Sequence, residues 1–295
     1  MTLQEIITHG VETISEMYPQ REAREMVLRY LEDCHGIKRL THILEPSYEL
    51  PADAVDSCLA AFKRMASGEP MQYVSGKADF YGREFAVSPA VLIPRQETEI
   101  LCKTVCDHIV LGQKDLGPDA MTILDLCTGS GCIAWTLALE VPGAKVTAVD
   151  ISEEALAVAS AQNFSAEMSQ SGAKAPLFIK GDVLSPETLP VLGKFDIIVS
   201  NPPYVMESEK ALMRSNVLDH EPSLALFVSD EDPLIFYRAV AQIANERLSD
   251  KGLCMVEINE VLGEETAQLF RMVGFMNTDI VKDLNDRDRF VVARR

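Results

Sequence analysis

The sequence is poor in several features that would mark a specialised class of protein. Its seven cysteines are odd in number and include no Cys-x-x-Cys pair, which argues against a zinc site or a disulfide framework. No apolar run is long enough to cross a bilayer, and the first residues lack a signal-peptide pattern. We therefore expect a cytoplasmic protein with reduced thiols, no metal ion and no membrane contact.

Basic residues are also scarce. The chain carries 27 Lys and Arg against 45 Asp and Glu, a net charge of −18. Such a surface repels phosphate backbones, so we expect no direct binding of nucleic acid and a better fit to a basic partner. With 295 residues, of which 47% are hydrophobic, the chain is long enough for a sizeable core and for more than one domain.

The first part of the chain has helical periodicity. Apolar residues recur at helical spacing in three stretches, which end near Pro19, Gly36 and Gly68. We predict a helical docking domain over residues 1–72. Aromatic residues around Gly82 then predict a β-hairpin inside a connector over residues 73–94.

Charged residues follow the connector. Arg95, Glu97 and Glu99 lie just before or within the first turn of a predicted helix. Carboxylates at this position favour the helix dipole, which is a purely structural explanation. The functional interpretation is a lid-like segment that borders an active site.

From Met121 onward, strand and helix patterns alternate, which indicates a parallel sheet with helices on both faces. One helix is predicted to begin at Ser152–Glu154 and to continue to about Met168. Two strands are predicted between Asn277 and Ala293.

A glycine loop, Cys127–Gly131, follows the first strand of this region and opens a helix, and Asp150 ends the second strand. This arrangement suits a ligand that contains adenosine, because glycines admit the ligand and a carboxylate accepts its ribose hydroxyls. We expect Asp125 to order the loop by accepting its backbone N–H groups. The loop lacks the G-x-G-x-x-G spacing of a nicotinamide site and the lysine of a P-loop.

The tetrapeptide Asn201-Pro202-Pro203-Tyr204 follows an apolar run that predicts a buried strand, Phe195–Val199. The two prolines hold this loop extended at the carboxyl end of the strand, where ligands bind in open α/β sheets. A side-chain amide, backbone carbonyls and an aromatic ring suit a flat amide or amine. A proline-rich turn without function is the alternative.

Taken together, these motifs resemble the release factor glutamine methyltransferases, a family of class I S-adenosylmethionine-dependent methyltransferases. The resemblance covers nearly the whole chain, including Ile93–Glu99, Asp125–Gly131, the tetrapeptide and the closing Asp286–Arg289. Cys127 stands where the family usually has glycine, and Gln96 where it usually has proline. The resemblance implies a seven-stranded α/β sheet with its last strand antiparallel, over residues 95–295, behind an all-α N-terminal domain.

The resemblance also implies a role for each motif. S-adenosylmethionine would be bound by Asp125, Cys127, Thr128, Gly129, Ser130, Gly131, Asp150, Asp182, Val183 and Asn201. The substrate glutamine of a class-1 peptide chain release factor would be held by Asn201, Pro202, Pro203 and Tyr204. Of these, Asn201, Pro202 and Tyr204 would be catalytic. We expect the enzyme to be a monomer.

Two other functions stay open from the residues. A methyltransferase for the exocyclic amine of adenine or guanine in DNA or RNA would use the same tetrapeptide, although the net charge opposes it. A noncatalytic adaptor that binds the cofactor and acts through its helical domain is the second alternative.

Overall fold

The computed structural model describes residues 1–112, 121–189 and 193–295. The chain forms two compact units that are interleaved along the sequence. One comprises Met1–Lys77, Val87–Pro89 and Met213–His220, and the other comprises Ala78–Ala86, Ala90–Leu212 and Glu221–Arg295. The predicted boundaries at residues 72 and 94 stay a prediction. In this division the hairpin residues Ala78–Ala86 belong to the sheet unit rather than to a separate connector.

The first unit is helical, as predicted. Its first helix has a capping box, in which the Thr2 hydroxyl accepts the N–H of Glu5 and the Glu5 carboxylate accepts the N–H of Thr2. Gly10 lets this helix approach its neighbour closely, since a Cβ there would lie 2.7 Å from the ring of Phe62. The helices are α1 (Leu3–Ile14), α2 (Gln20–His35), α3 (Thr41–Leu44), α4 (Ala52–Ala66) and α5 (Met71–Ser75).

The second unit is built on a seven-stranded sheet. Its strands are β3 (Thr122–Leu126), β4 (Lys145–Asp150), β5 (Leu177–Lys180), β6 (Phe195–Ser200), β9 (Leu248–Glu257), β10 (Asn277–Lys282) and β11 (Asp288–Arg294). The order across the sheet is β10-β11-β9-β6-β3-β4-β5, and β11 is antiparallel to both of its neighbours. The predicted fold class, with an antiparallel last strand, is confirmed.

Shorter strands form two further pairs, the predicted hairpin β1 (Lys77–Phe80) with β2 (Arg83–Ala86), and β7 (Val205–Met206) with β8 (Phe227–Val228). The remaining helices are α6 (Gln96–Gly112), α7 (Cys132–Glu140), α8 (Glu153–Ser160), α9 (Ser165–Ser171), α10 (Ser215–Leu218), α11 (Ser223–Leu226), α12 (Ile235–Arg247) and α13 (Gly263–Met272). No helix in the described ranges is both long enough and apolar enough to traverse a membrane.

The sheet is covered by apolar side chains on both faces. Leu101 of α6 and Trp135 of α7 belong to one buried cluster, and Tyr237 of α12 and Phe270 of α13 belong to the other. Consecutive residues of β3 alternate between the clusters, with Ile123 in the first and Leu124 in the second. Burial on both faces explains why the strands read as continuous apolar runs.

The prediction of a single helix from Ser152 to about Met168 is wrong. Ser152 does cap α8, but the helix ends at Ser160 and α9 begins at Ser165. Between them, the buried amide of Gln162 donates to the carbonyls of Ala86 and Ser130, over 2.8 and 3.2 Å, and accepts the N–H of Ala86 over 2.9 Å. These tertiary contacts outweigh the local helix propensity.

Candidate active site

The strands around the centre of the sheet end level with one another. Leu126 of β3 is paired with Val149 of β4 and with Ser200 of β6, and Ser200 is paired with Val256 of β9. The chain runs outward from β3 through β4 to β5 and then returns to β6 on the other side of β3. The loops after β3 and β6 therefore flank a topological switch point, the usual ligand site of such a sheet.

The glycine loop after β3 has three residues with positive φ: Cys127 at 61°, Gly129 at 55° and Gly131 at 78°. A Cβ on Gly131 would lie 3.0 Å from Ala159 and 3.2 Å from the ring of Trp135, whereas a Cβ on Gly129 would meet nothing within 4 Å. Gly131 is thus required for packing, and Gly129 borders open space. Cys127 holds a left-handed conformation that glycine adopts at lower cost.

Asp150 supports this loop from the end of β4. Its Oδ2 accepts the N–H of Gly129 over 2.8 Å, and its Oδ1 accepts the N–H of Ser152 over 3.0 Å. Burial raises the pKa of Asp150, while the backbone N–H groups of Ser152, Gly129 and Ile151 oppose that rise. Each carboxylate oxygen has a second lone pair, so the group can still accept two hydrogen bonds from a ligand.

Asp125 has a different contact from the one predicted. It does not hold the N–H groups of the loop, because it lies within β3 and is fully buried beneath it. Its Oδ2 accepts the hydroxyl of Thr128 over 2.5 Å, and its Oδ1 has no hydrogen-bond partner within the described ranges. Burial raises the pKa of Asp125 to about 7, and the bond from Thr128 opposes this effect.

The loop after β5 contains Asp182 and Val183. Oδ1 of Asp182 accepts the N–H of Leu184 over 2.8 Å, which holds the turn closed. The side chain of Val183 is buried in the same apolar cluster as Val149. The register of β4 and β5 places this loop at the same sheet edge as Asp150.

The tetrapeptide after β6 is anchored from below by buried polar groups. Nδ2 of Asn201 donates to Oγ1 of Thr98 over 3.2 Å, and the Thr98 hydroxyl donates to Oε2 of Glu257 over 2.7 Å. The hydroxyl of Tyr204 donates to Oε1 of the same carboxylate over 3.0 Å. Thr98 and Glu257 are 2% and 1% exposed, so water does not compete for these bonds.

Backbone contacts complete the loop. Pro202 and Pro203 are buried, and the carbonyl of Tyr204 accepts Nδ2 of Asn259 over 3.2 Å. Burial raises the pKa of Tyr204 well above its usual value, and the neighbouring charge of Glu257 adds to this effect. Tyr204 is therefore a neutral hydrogen-bond donor with a fixed ring.

Thr98 and Glu257 were missed as site residues by the sequence reasoning. A signal for Glu257 was present, because it ends the apolar run Leu253–Val256 as Asp150 ends β4. Thr98 lies in the first turn of α6, in a segment that was identified only as a possible lid. That segment is also fixed at Glu99, whose Oε1 accepts the N–H of Tyr81 in the hairpin over 2.9 Å.

Two family models match this chain, "PrmC N-terminal domain" over residues 5–76 and "Methyltransferase small domain" over residues 109–221. The release factor glutamine methyltransferase of Bacteroides thetaiotaomicron is 38% identical over 96% of this chain and 97% of its own length. The protein of the same name from Flavobacterium psychrophilum is 36% identical over 99% and 98%. The chain belongs to the release factor glutamine methyltransferase family.

A solved structure shares the fold of this chain. The hMettl16 catalytic domain, solved in complex with MAT2A 3'UTR hairpin 6, has a TM-score of 0.52 and covers 84% of each chain at 12% identity. That likeness shows the shared fold alone. As a release factor glutamine methyltransferase family member, the chain brings its glycine loop, Asp150, Asp182 and Asn201 to one sheet edge. The ligand roles expected of these residues stay predictions.

Proposed function

We propose that this chain transfers a methyl group from S-adenosylmethionine to the side-chain amide nitrogen of the glutamine in the Gly-Gly-Gln motif of class-1 peptide chain release factors. The structural observation that carries the proposal is Asn201, an amide fixed at the switch point of the sheet by a part-buried hydrogen bond to the buried hydroxyl of Thr98. Family membership over nearly the whole chain supports the choice of substrate.

The residues at the sheet edge fit the cofactor. Gly129 borders open space, and Asp150 has lone pairs left for two ribose hydroxyls. In the proposal, Cys127–Gly131 hold the methionine end, Asp150 holds the ribose, and Asp182 with Val183 flanks the adenine. Asp125 acts through Thr128, which it orients. S-adenosylmethionine supplies the electrophilic methyl group on its sulfonium.

The tetrapeptide then positions a weak nucleophile. Oδ1 of Asn201 and the carbonyl of Pro202 accept the two hydrogens of the substrate amide, which directs its nitrogen toward the methyl group. With the cofactor bound, methyl transfer would form a nitrogen–carbon bond and break the carbon–sulfur bond, S-adenosylhomocysteine would leave, and the nitrogen would then lose a proton to water. The two acceptors stabilise the positive charge that develops on nitrogen. Positioning of this kind contributes roughly 7–11 kcal/mol.

Tyr204 contributes a surface rather than a proton. Its hydroxyl is held by Glu257, so its ring has a fixed orientation beside the proposed substrate site. The ring packs on the face of the substrate amide, and Pro203 keeps the loop extended. No general base is required in this mechanism.

The partner and the state of the enzyme form part of the proposal. A net charge of −18 favours a basic protein surface over a phosphate backbone. We propose a cytoplasmic enzyme that acts as a monomer and binds the release factor directly. Light scattering on the purified protein, alone and mixed with release factor, measures both stoichiometries.

The decisive experiment presents both substrate classes. The enzyme is incubated with labelled S-adenosylmethionine and either purified release factor or total nucleic acid, and the label is located by mass spectrometry. We expect it on the glutamine of the Gly-Gly-Gln peptide. Asn201→Ala should lower kcat strongly while cofactor affinity changes less. Label on nucleic acid, with an unmodified Gly-Gly-Gln peptide, would establish the nucleobase alternative instead.

A further inference from the structure

The hydrogen bonds that link Asn201, Thr98, Glu257 and Tyr204 have a direction as well as a length, and the bond at their centre, between Thr98 and Glu257, is buried. An ionised carboxylate can only accept hydrogen bonds, whereas a hydroxyl has one hydrogen to donate and lone pairs with which to accept. Both oxygens of Glu257 are engaged by hydroxyls, from Thr98 at 2.7 Å and from Tyr204 at 3.0 Å. Both hydroxyls must therefore donate toward Glu257.

This direction passes on to Asn201. The hydroxyl hydrogen of Thr98 is committed to Glu257, so Oγ1 can only accept from Asn201. The amide must then turn its NH₂ group toward Thr98, and its carbonyl oxygen therefore points away from Thr98. If the amide were flipped, its oxygen would face a lone pair of Thr98 inside a buried site, which is unfavourable.

We infer that Glu257 is a positioning residue, which acts through Thr98 to fix the orientation of the Asn201 amide and so presents an acceptor rather than a donor to the substrate. This inference rests on the proposed function, because a substrate NH₂ group needs an acceptor. A flipped amide would place donor against donor. Glu257 lies 159 positions after Thr98 in the sequence, yet it sets the orientation of the Asn201 amide.

The surroundings of Glu257 make this orientation dependent on pH. Burial raises the pKa of Glu257, and Arg289 opposes the rise by its positive charge, whereas Glu97 adds to it. Tyr204, Tyr237 and Cys132 also face this carboxylate and stay neutral, because burial raises the pKa of each. A protonated Glu257 could donate to Thr98, which frees the hydroxyl of Thr98 to point at Asn201 and allows the amide to flip.

The test compares variants that keep the shape of the network but change its hydrogens. Glu257→Gln replaces an acceptor-only group by one that also donates, and Thr98→Val removes the hydroxyl at similar volume. We expect each to lower kcat by about 10²-fold, as for the loss of one group that stabilises charge in a transition state. The Kd for S-adenosylmethionine, measured by calorimetry, should change by less than about threefold.

Two variants serve as controls. Thr98→Ser keeps the hydroxyl and should retain a kcat close to that of the parent enzyme, while Glu265→Gln makes the same charge change on the exposed surface of α13 and should leave kcat unchanged. The wild-type enzyme should also lose kcat as pH falls through the pKa of Glu257, and this acid limb should be absent from Glu257→Gln. A full kcat in Glu257→Gln, or equal losses in Thr98→Ser and Thr98→Val, would overturn the inference.

A readout without turnover separates this inference from the proposed function. Neutron diffraction of the wild-type protein should place deuterium on Oγ1 of Thr98 toward Glu257, and on the Asn201 nitrogen toward Thr98. Deuterium on Thr98 that points at Asn201 would refute the inference even if glutamine is methylated. Failure of the wild-type enzyme to methylate a release factor would instead refute the proposed function and leave the neutron result standing.

Discussion

Arg95 and Glu221 form an ion pair in which one partner is buried and the other is not. Nη2 of Arg95 lies 2.6 Å from Oε1 of Glu221, and the two side chains are 34% and 1% exposed. The other oxygen of Glu221 accepts the N–H of Ile93 over 3.2 Å. Glu221 thereby fixes the segment that leads into α6 and to Thr98, and the guanidinium provides the compensating charge.

The unequal burial predicts unequal costs of removing each partner. Arg95→Met leaves a buried carboxylate without its counter-ion, whereas Glu221→Gln leaves a guanidinium that water can reach. We expect Arg95→Met to lower the free energy of unfolding by about 1–3 kcal/mol and Glu221→Gln by less. The double variant should be more stable than Arg95→Met alone. Urea unfolding measures all three, and additive losses would contradict this account.

The glycine loop predicts a ranking of two alanine variants. Both Gly129 and Gly131 have positive φ, but only a Cβ on Gly131 meets neighbours at 3.0–3.3 Å. Gly129→Ala should therefore cost about 1 kcal/mol, from backbone conformation alone. Gly131→Ala should cost more, because Ala159 and Trp135 must also move. Thermal unfolding monitored by circular dichroism gives the comparison, and a larger loss for Gly129→Ala would disprove it.

Asp150 is predicted both to support the glycine loop and to bind the cofactor. Asp150→Ala removes the acceptor for Gly129 and the group proposed to hold the ribose. We expect the Kd for S-adenosylmethionine to rise tenfold or more, the roughly 1.4 kcal/mol or above of a lost charge-assisted bond. Calorimetric titration checks this, with the exposed Asp56→Ala as the matched control. An unchanged Kd would remove Asp150 from the proposed cofactor site.

The raised pKa of Asp125 predicts that the stability of the fold depends on pH. Its folded pKa of about 7 lies above the ordinary value of about 3.9, so between these pH values the folded state binds a proton that the unfolded state does not. Stability therefore falls as pH rises through this window, by ~1.4 kcal/mol per pH unit where the difference is complete. Asp125→Asn lacks this loss.

The measurement is the difference in unfolding free energy between wild type and Asp125→Asn, from urea unfolding between pH 5 and 8. This difference should move in favour of the asparagine variant up to about pH 7 and then level off. Parallel curves for wild type and Asp125→Asn would show that Asp125 is already ionised across the whole range.

The alternation of strands and helices from Met121 onward, the hairpin at Gly82 and the helical first unit could be predicted from sequence, because each depends on local periodicity and turn residues. The break at Gln162 could not, since its amide bonds to Ala86, which lies 76 residues away. Local propensity favours a continuous helix there, and only tertiary contacts interrupt it.

For the candidate site too, the positions of the loops could be predicted from sequence, whereas the long-range contacts could not. Its loops could be placed at one edge because parallel strands end together, and the structure does bring Asp150 and Asn201 to the same edge of the sheet. The bond between Thr98 and Glu257 joins residues 159 positions apart, and no periodicity indicates such a pair. The contact predicted for Asp125 was wrong because sequence spacing places it next to the loop but does not show that its side chain is buried beneath the loop, against the hydroxyl of Thr128.

The place of β11 has a consequence for how the enzyme is made. This strand lies between β9 and β10, and its Phe290 is paired with Glu257. A nascent chain that has not yet been synthesised past Asp288 has β6 as a partner for Leu253–Val256 but lacks their second partner, β11, and β10 lacks its neighbour in the sheet. During synthesis on the ribosome, the edge of β9 that faces β11 therefore stays unpaired until β11 has been translated, and its free backbone groups form an exposed edge of the kind that chaperones protect.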